Sequence, residues 1–199
     1  MTVKKRTEGT QEIRTVNVKD LNTRAIVTED GQVKNYVAEG YAAMFNSPTM
    51  INDWYEETIA PGAFTSSLTN DVRCLYNHDW SQVLGRTSSG TLQLREDDIG
   101  LYFEVTLPNT GTGRDLIEML ERKDINQCSF GFVIKQAQDD FSDPNVLRTL
   151  ITEVELYEVS IVALPAYADT SVSLRSKDVA EVRAKKVKLL KKMEDLINE

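Results

Sequence analysis

Residues 126–132 read NQCSFGF and place two candidate nucleophiles side by side, the thiol of Cys128 and the hydroxyl of Ser129. Either would need a general base, and the 199-residue chain contains a single histidine, His78, in the segment LYNHD. Imidazole is the side chain whose ordinary pKa lies nearest neutrality, which suits it to take a proton from a hydroxyl. A base of this kind also needs a third group to fix its tautomer and orientation. With one histidine present, that group has to be a carboxylate, a hydroxyl or an amide.

Strand periodicity separates the candidates. In SFGFVIK, Phe130, Phe132 and Ile134 share one face, and Ser129, Gly131 and Val133 share the other. If the phenylalanines enter the core, Cys128 is buried with them and Ser129 points away. Gly131, two residues along, would leave room for a substrate backbone beside the hydroxyl. The same alternation in VRCLYNH puts Cys74, Tyr76 and His78 on one side, with His78 at the strand end. In ELYEVSIVAL, Tyr157, Val159, Ile161 and Ala163 form an apolar face and leave Glu158 opposite it with Ser160. An acid in so apolar a strand is costly without a partner, so Glu158 is the first choice to orient His78. Glu153, Glu155 and Asp79 remain rivals for that place.

Composition bounds the alternatives. The hydrophobic content of 41% and charged content of 27% are those of a globular chain long enough for one domain with a real core. The net charge of −8 argues against a general nucleic-acid binder, which needs a basic face to replace phosphate counterions. No apolar run approaches the ~20 residues of a membrane span. The N-terminus has a basic start but no hydrophobic segment behind it, so the expected location is the cytoplasm. A reducing compartment keeps Cys74 and Cys128 as thiols. One histidine and no CxxC pair exclude the common zinc motifs, and no cofactor is expected.

The elements that must position these residues are mostly strands. QEIRTVNV, RAIVT, QVKNYVAEGYAAMF and VRCLYNH read as extended, as do TLQL and LYFEV in a β-meander. SFGFVIKQ, VLRTLITEV and ELYEVSIVAL follow as further strands. SPTMINDWYEETIAPGAF, punctuated by Pro48, Pro61 and Gly62, reads as a connection, with TSSLTN a helical turn or loop. TGTGRDLIEMLERKDI has the spacing of an amphipathic helix. Residues 1–10 are expected to be flexible, and 11–175 to form an α+β domain, mainly antiparallel β and barrel-like, with flanking helices. Residues 176–199 are expected to form a C-terminal amphipathic helix, with Val182, Leu189, Met193 and Leu196 in a thin stripe that Lys186 interrupts. From Lys177 onward this tail carries seven Lys or Arg against five Asp or Glu, a basic end on an acidic body.

YAAMFN, EETIAPGAF, LYNHD, LGRTSSGTLQLREDDIGLYFEV, SFGF and YEVSIVALPAYADTSV occur in this order. Together, from about Tyr36 to Arg175, they resemble the prohead maturation proteases of tailed bacteriophages, serine peptidases held to be distantly similar to herpesvirus assemblins. The resemblance implies a β-barrel-like fold and an enzyme packaged in the procapsid, in the host cytoplasm. It implies cleavage of the scaffolding protein, or of the scaffolding segment of the major capsid protein precursor, and of the enzyme itself. It also implies Ser129 as nucleophile, His78 as base and Glu158, in the EVS motif, as the third member. The herpesvirus enzymes use a second histidine in that place, which this chain lacks. Self-association is compatible with this reading, and neither nucleic acid nor membrane is an expected partner. The competing readings are a non-enzymatic capsid assembly or scaffold protein, and a thiol peptidase built on Cys128 and His78. The basic tail is expected to target the enzyme to scaffold or capsid precursor.

Overall fold

Runs of β-branched and aromatic residues between turn signals dominate the chain, and they fold as strands. The computed structural model describes residues 4–5, 11–16, 21–29, 31 and 33–163. In chain order its strands are β1 (Lys4–Lys5), β2 (Glu12–Val16), β3 (Asn22–Val27), β4 (Val33–Met44), β5 (Thr49–Asn52) and β6 (Tyr55–Ile59). Then come β7 (Arg73–Tyr76), β8 (Asp79–Arg86), β9 (Leu92–Glu96), β10 (Gly100–Thr106), β11 (Gln127–Asp140) and β12 (Leu147–Val162). The α-helix among these residues, α1 (Gly111–Glu121), begins where the Thr110 side chain accepts a hydrogen bond from the Gly113 N–H at 3.2 Å. The expected C-terminal helix, and most of the N-terminal ten residues, lie outside the described residues.

The strands divide between two sheets. One runs β3-β4-β10-β9; the other is built on the long β11–β12 hairpin. The mostly β character and the predominance of antiparallel pairing agree with the sequence reading. The expected barrel-like closure does not: among the described residues the sheets stay separate. The β11–β12 sheet is also mixed, because β12 is long enough to serve two neighbours. Its first half pairs parallel with β6, from Leu147↔Tyr55 to Ile151↔Ile59, and its second half parallel with β7, from Glu158↔Arg73 to Ile161↔Tyr76. On the far side, β1 and β2 each pair antiparallel with β11.

Between the sheets lies one core. Phe130 and Phe132 stack with ring centroids 4.8 Å apart, and Phe64 meets Phe130 edge-on at 5.6 Å. Phe103 and Val105 of β10, Leu116 and Leu120 of α1, and Val159 and Ile161 of β12 join the same cluster. Burial of each such side chain contributes about 1.5–3 kcal/mol. The core therefore clamps the β11–β12 hairpin from one side, and the opposite side of that hairpin carries the polar residues.

Two segments depart from the expected organisation. The stretch read as a connection contains the β5–β6 hairpin, hidden because YEETI sets two acids and a threonine between its apolar ends and buries one of the acids, Glu57. VLRTLITEV and ELYEVSIVAL are one strand, not two, and a bulge opposite Gly131–Phe132 changes its phase. Before that bulge Val154 and Leu156 face the core; after it Val159 and Ile161 do. Tyr157 is the extra residue between them, so it does not belong to the apolar face that simple alternation assigned to it.

Candidate active site

His78 owes its position to a two-residue hairpin. Tyr76 pairs with Asp79, and both residues between them, Asn77 and His78, have positive φ, 53° and 58°. Positive φ at both central positions is the type I′ signature, whose twist matches that of the strands it joins. Asn is a favoured residue there, and His is among the few others that tolerate it. Asn77 also ties the hairpin tip to the end of β12. Its N–H donates to the Ile161 carbonyl at 3.0 Å, and its Oδ1 accepts from the Ala163 N–H at 2.9 Å.

This turn overrides the alternation expected for His78. Cys74 and Tyr76 pair with Val159 and Ile161, whose side chains are in the core. The two left-handed residues then swing the imidazole to the opposite face of the sheet, where Glu158 lies. His78 Nδ1 and Glu158 Oε1 are 2.8 Å apart. With the carboxylate ionised, Nδ1 carries the proton and donates it, so Nε2 keeps its lone pair. Nε2 is buried and has no hydrogen-bond partner among the described residues.

Glu158 is only 1% exposed, and a buried carboxylate of this kind requires partners for its oxygens. Ser160 supplies the second, its Oγ donating to Glu158 Oε2 at 2.5 Å. Room for the carboxylate comes from Gly131, directly opposite on β11. A Cβ at position 131 would stand 2.5 Å from Glu158 Oε1 and 2.8 Å from Gln11 Nε2. Glycine here accommodates the acid, which corrects the expectation that it leaves space for substrate.

Ser129 pairs with Ser160 across the same two strands, so it shares the face of Gly131, Glu158 and Ser160. The strand parity read from SFGF therefore holds, but that face is not open: Ser129 is fully buried. Its Oγ donates to the Arg14 carbonyl of β2 at 2.9 Å. Cys128, on the core face, is equally buried, and burial raises its thiol pKa well above the ordinary range. Burial also raises the Cys74 thiol, with Cys128 and Glu158 adding to the shift. Buried thiols of this kind are inert.

The rival acids are engaged elsewhere. Glu153 Oε2 accepts from Gln136 Nε2 at 2.5 Å, and Glu155 forms an ion pair with Lys135. Asp79 is exposed and accepts from the N–H and Oγ of Ser81, which together hold its pKa below the usual value. Sequence reading placed Ser160 beside Glu158 but gave it no part in holding the acid, and it passed over Asn77. The signals available were the Asn-His pair between two strand patterns, and the i, i+2 spacing of Glu158 and Ser160.

The sequence matches the family described as caudovirus prohead serine protease over residues 19–185. Among solved structures, the capsid assembly protease of bacteriophage T4 is similar in fold, with a TM-score of 0.50 and 11% sequence identity. That similarity covers 76% of this chain and 96% of the other. No curated protein matches the sequence.

Proposed function

Because the chain belongs to the caudovirus prohead serine protease family, we propose that it is a serine endopeptidase in which Ser129 attacks, His78 moves the proton and Glu158 holds His78. The observation that carries this reading is the pairing of half-buried His78 with buried Glu158 at 2.8 Å, with Nε2 left as the proton acceptor on the face that Ser129 shares. The Ser129 hydroxyl first turns from the Arg14 carbonyl towards Nε2. Nε2 takes the hydroxyl proton as Oγ bonds to the peptide carbonyl carbon, whose π electrons move to its oxygen. When the tetrahedral intermediate collapses, the C–N bond breaks and Nε2 returns the proton to the departing amine. Water then attacks the acyl-enzyme, giving one proton to Nε2 as the carbonyl carbon gains its oxygen, and Ser129 recovers that proton as the acid product leaves.

Throughout, Glu158 accepts from Nδ1–H and stabilises the transient imidazolium. It is a positioning group, held in turn by Ser160. The substrates in this reading are the scaffolding protein, or the scaffolding segment of the major capsid protein precursor, together with the enzyme itself, inside the procapsid. Family membership supports a capsid maturation protease, and the site chemistry supports the acyl-enzyme route. Co-expression of the full chain with its capsid precursor tests both. Mass spectrometry should find the precursor and the enzyme processed with the intact chain, and both uncut with Ser129→Ala. Processing that survives Ser129→Ala but fails in Cys128→Ala would reverse the choice of nucleophile.

A further inference from the structure

β2 holds a short peptide strand against the strand that carries the nucleophile. Residues 12–16 run antiparallel to residues 128–132, and Arg14 presents its carbonyl to Ser129 Oγ at 2.9 Å. Among the described residues β2 pairs with β11 alone, and it lies before residues 19–185, the span of the family match. An extended peptide added to a sheet edge, with one carbonyl at the nucleophile, is how β-augmentation would present a substrate.

The Arg14 side chain leaves β2 on the face opposite Ser129. Its guanidinium carbon lies 5.6 Å from the Phe132 ring centroid. Nε donates to Glu57 Oε2 at 2.5 Å and Nη2 to Glu57 Oε1 at 3.0 Å. Glu57 is 4% exposed, and Tyr55 donates to its Oε1 at 2.6 Å. Burial alone would lower the Arg14 pKa, but Glu57 beside it raises it above its ordinary value. A carboxylate buried on β6 is costly without a cation, and β2, a strand separate from β6, delivers that cation.

We infer that the β11 edge occupied by β2 is the substrate edge, and that Glu57 with Tyr55 and Phe132 forms a subsite for a basic side chain immediately before the cleaved bond. Arg14 fills that subsite from within the chain, and a substrate strand replaces it. The substrate class is an extended peptide with Arg or Lys at that position. This inference rests on Ser129 being the nucleophile. A bidentate carboxylate partner distinguishes Arg from isosteric neutral side chains far better than an apolar pocket could.

The test uses the full chain and peptides that differ only at the residue before the cleaved bond. Arg or Lys should exceed Gln or Met by roughly 100-fold in kcat/KM. Glu57→Gln should collapse that ratio towards unity, and Tyr55→Phe, which keeps the acid, should lower it by a smaller factor of about 3–10. Arg14→Gln, with the internal occupant removed, should raise kcat/KM for the basic peptides. Cleavage that depends on Ser129 but shows no preference for a basic residue overturns the subsite while leaving the nucleophile in place. If no peptide is cut, the proposed catalysis fails, and binding to Arg14→Gln decides the subsite separately. The peptide TQEIRTVN, residues 10–17, should then bind about tenfold or more tightly than the same peptide with Gln replacing Arg; equal binding overturns it.

Discussion

At the scale of single residues, the site is a chain of dependencies: Ser160 holds Glu158, Glu158 holds His78, and Gly131 leaves the space in which the acid sits. The last link gives a sharp expectation. In Gly131→Ala the new methyl would lie 2.5 Å from Glu158 Oε1 and 3.1 Å from its Cγ, so the carboxylate has to move and take the imidazole with it. A displacement of about 1 Å at a positioning group can cost roughly 100-fold in rate. Peptidase assays of Gly131→Ala should show that loss in kcat, while circular dichroism reports an intact β fold. Full activity would mean that Glu158 is not held where the geometry places it. Ser129 was legible at this scale because phenylalanines on alternate positions reveal which face is core. Its burial was not, because that depends on a strand, β2, more than a hundred residues away in the chain.

At the scale of elements, the site is made by a hairpin tip and a bulge, and these are the features that a period-two reading misses. Alternation through VRCLYNH puts His78 with Cys74 and Tyr76, but two left-handed residues reverse its direction. Alternation through ELYEVSIVAL is correct for Glu158, Val159 and Ile161 because they lie beyond the bulge, and wrong for Tyr157 at it. The β5–β6 hairpin escaped because its sequence buries an acid instead of an apolar residue. Asn77 separates the turn from the tie it makes to β12. Asn77→Gly keeps the positive φ and removes the hydrogen bond to the Ala163 N–H; Asn77→Ala loses both. Asn77→Ala should destabilise the fold by about 1–2 kcal/mol in urea unfolding, and Asn77→Gly by less. Both should slow turnover if His78 is the base, since each loosens the hairpin that carries it. Equal stability of the two variants would show that the left-handed turn is not what Asn77 supplies.

At the scale of the whole molecule, two sheets enclose a core that buries both cysteines, on the side of the hairpin opposite Ser129 and Glu158, without exposing either thiol. Their raised pKa values have a consequence for stability. In the folded chain the thiols stay protonated where unfolded thiols ionise, so the unfolded state binds fewer protons as pH rises. This contribution is fully present below the unfolded thiol pKa of roughly 8.5 and is lost above it, at about 1.4 kcal/mol per pH unit for each cysteine. Urea unfolding between pH 8 and 10 should therefore show stability falling more steeply in the intact chain than in a Cys74→Ala, Cys128→Ala double variant. The same burial predicts that thiol alkylators leave activity untouched. The central claim, that Ser129 is a nucleophile activated by His78, is tested most directly by intact-mass measurement of the full chain after reaction with a fluorophosphonate. A single adduct mapping to Ser129, formed at least about 100-fold more slowly in His78→Ala, is the expected result. No adduct, an adduct on another residue, or an unchanged rate in His78→Ala would contradict it.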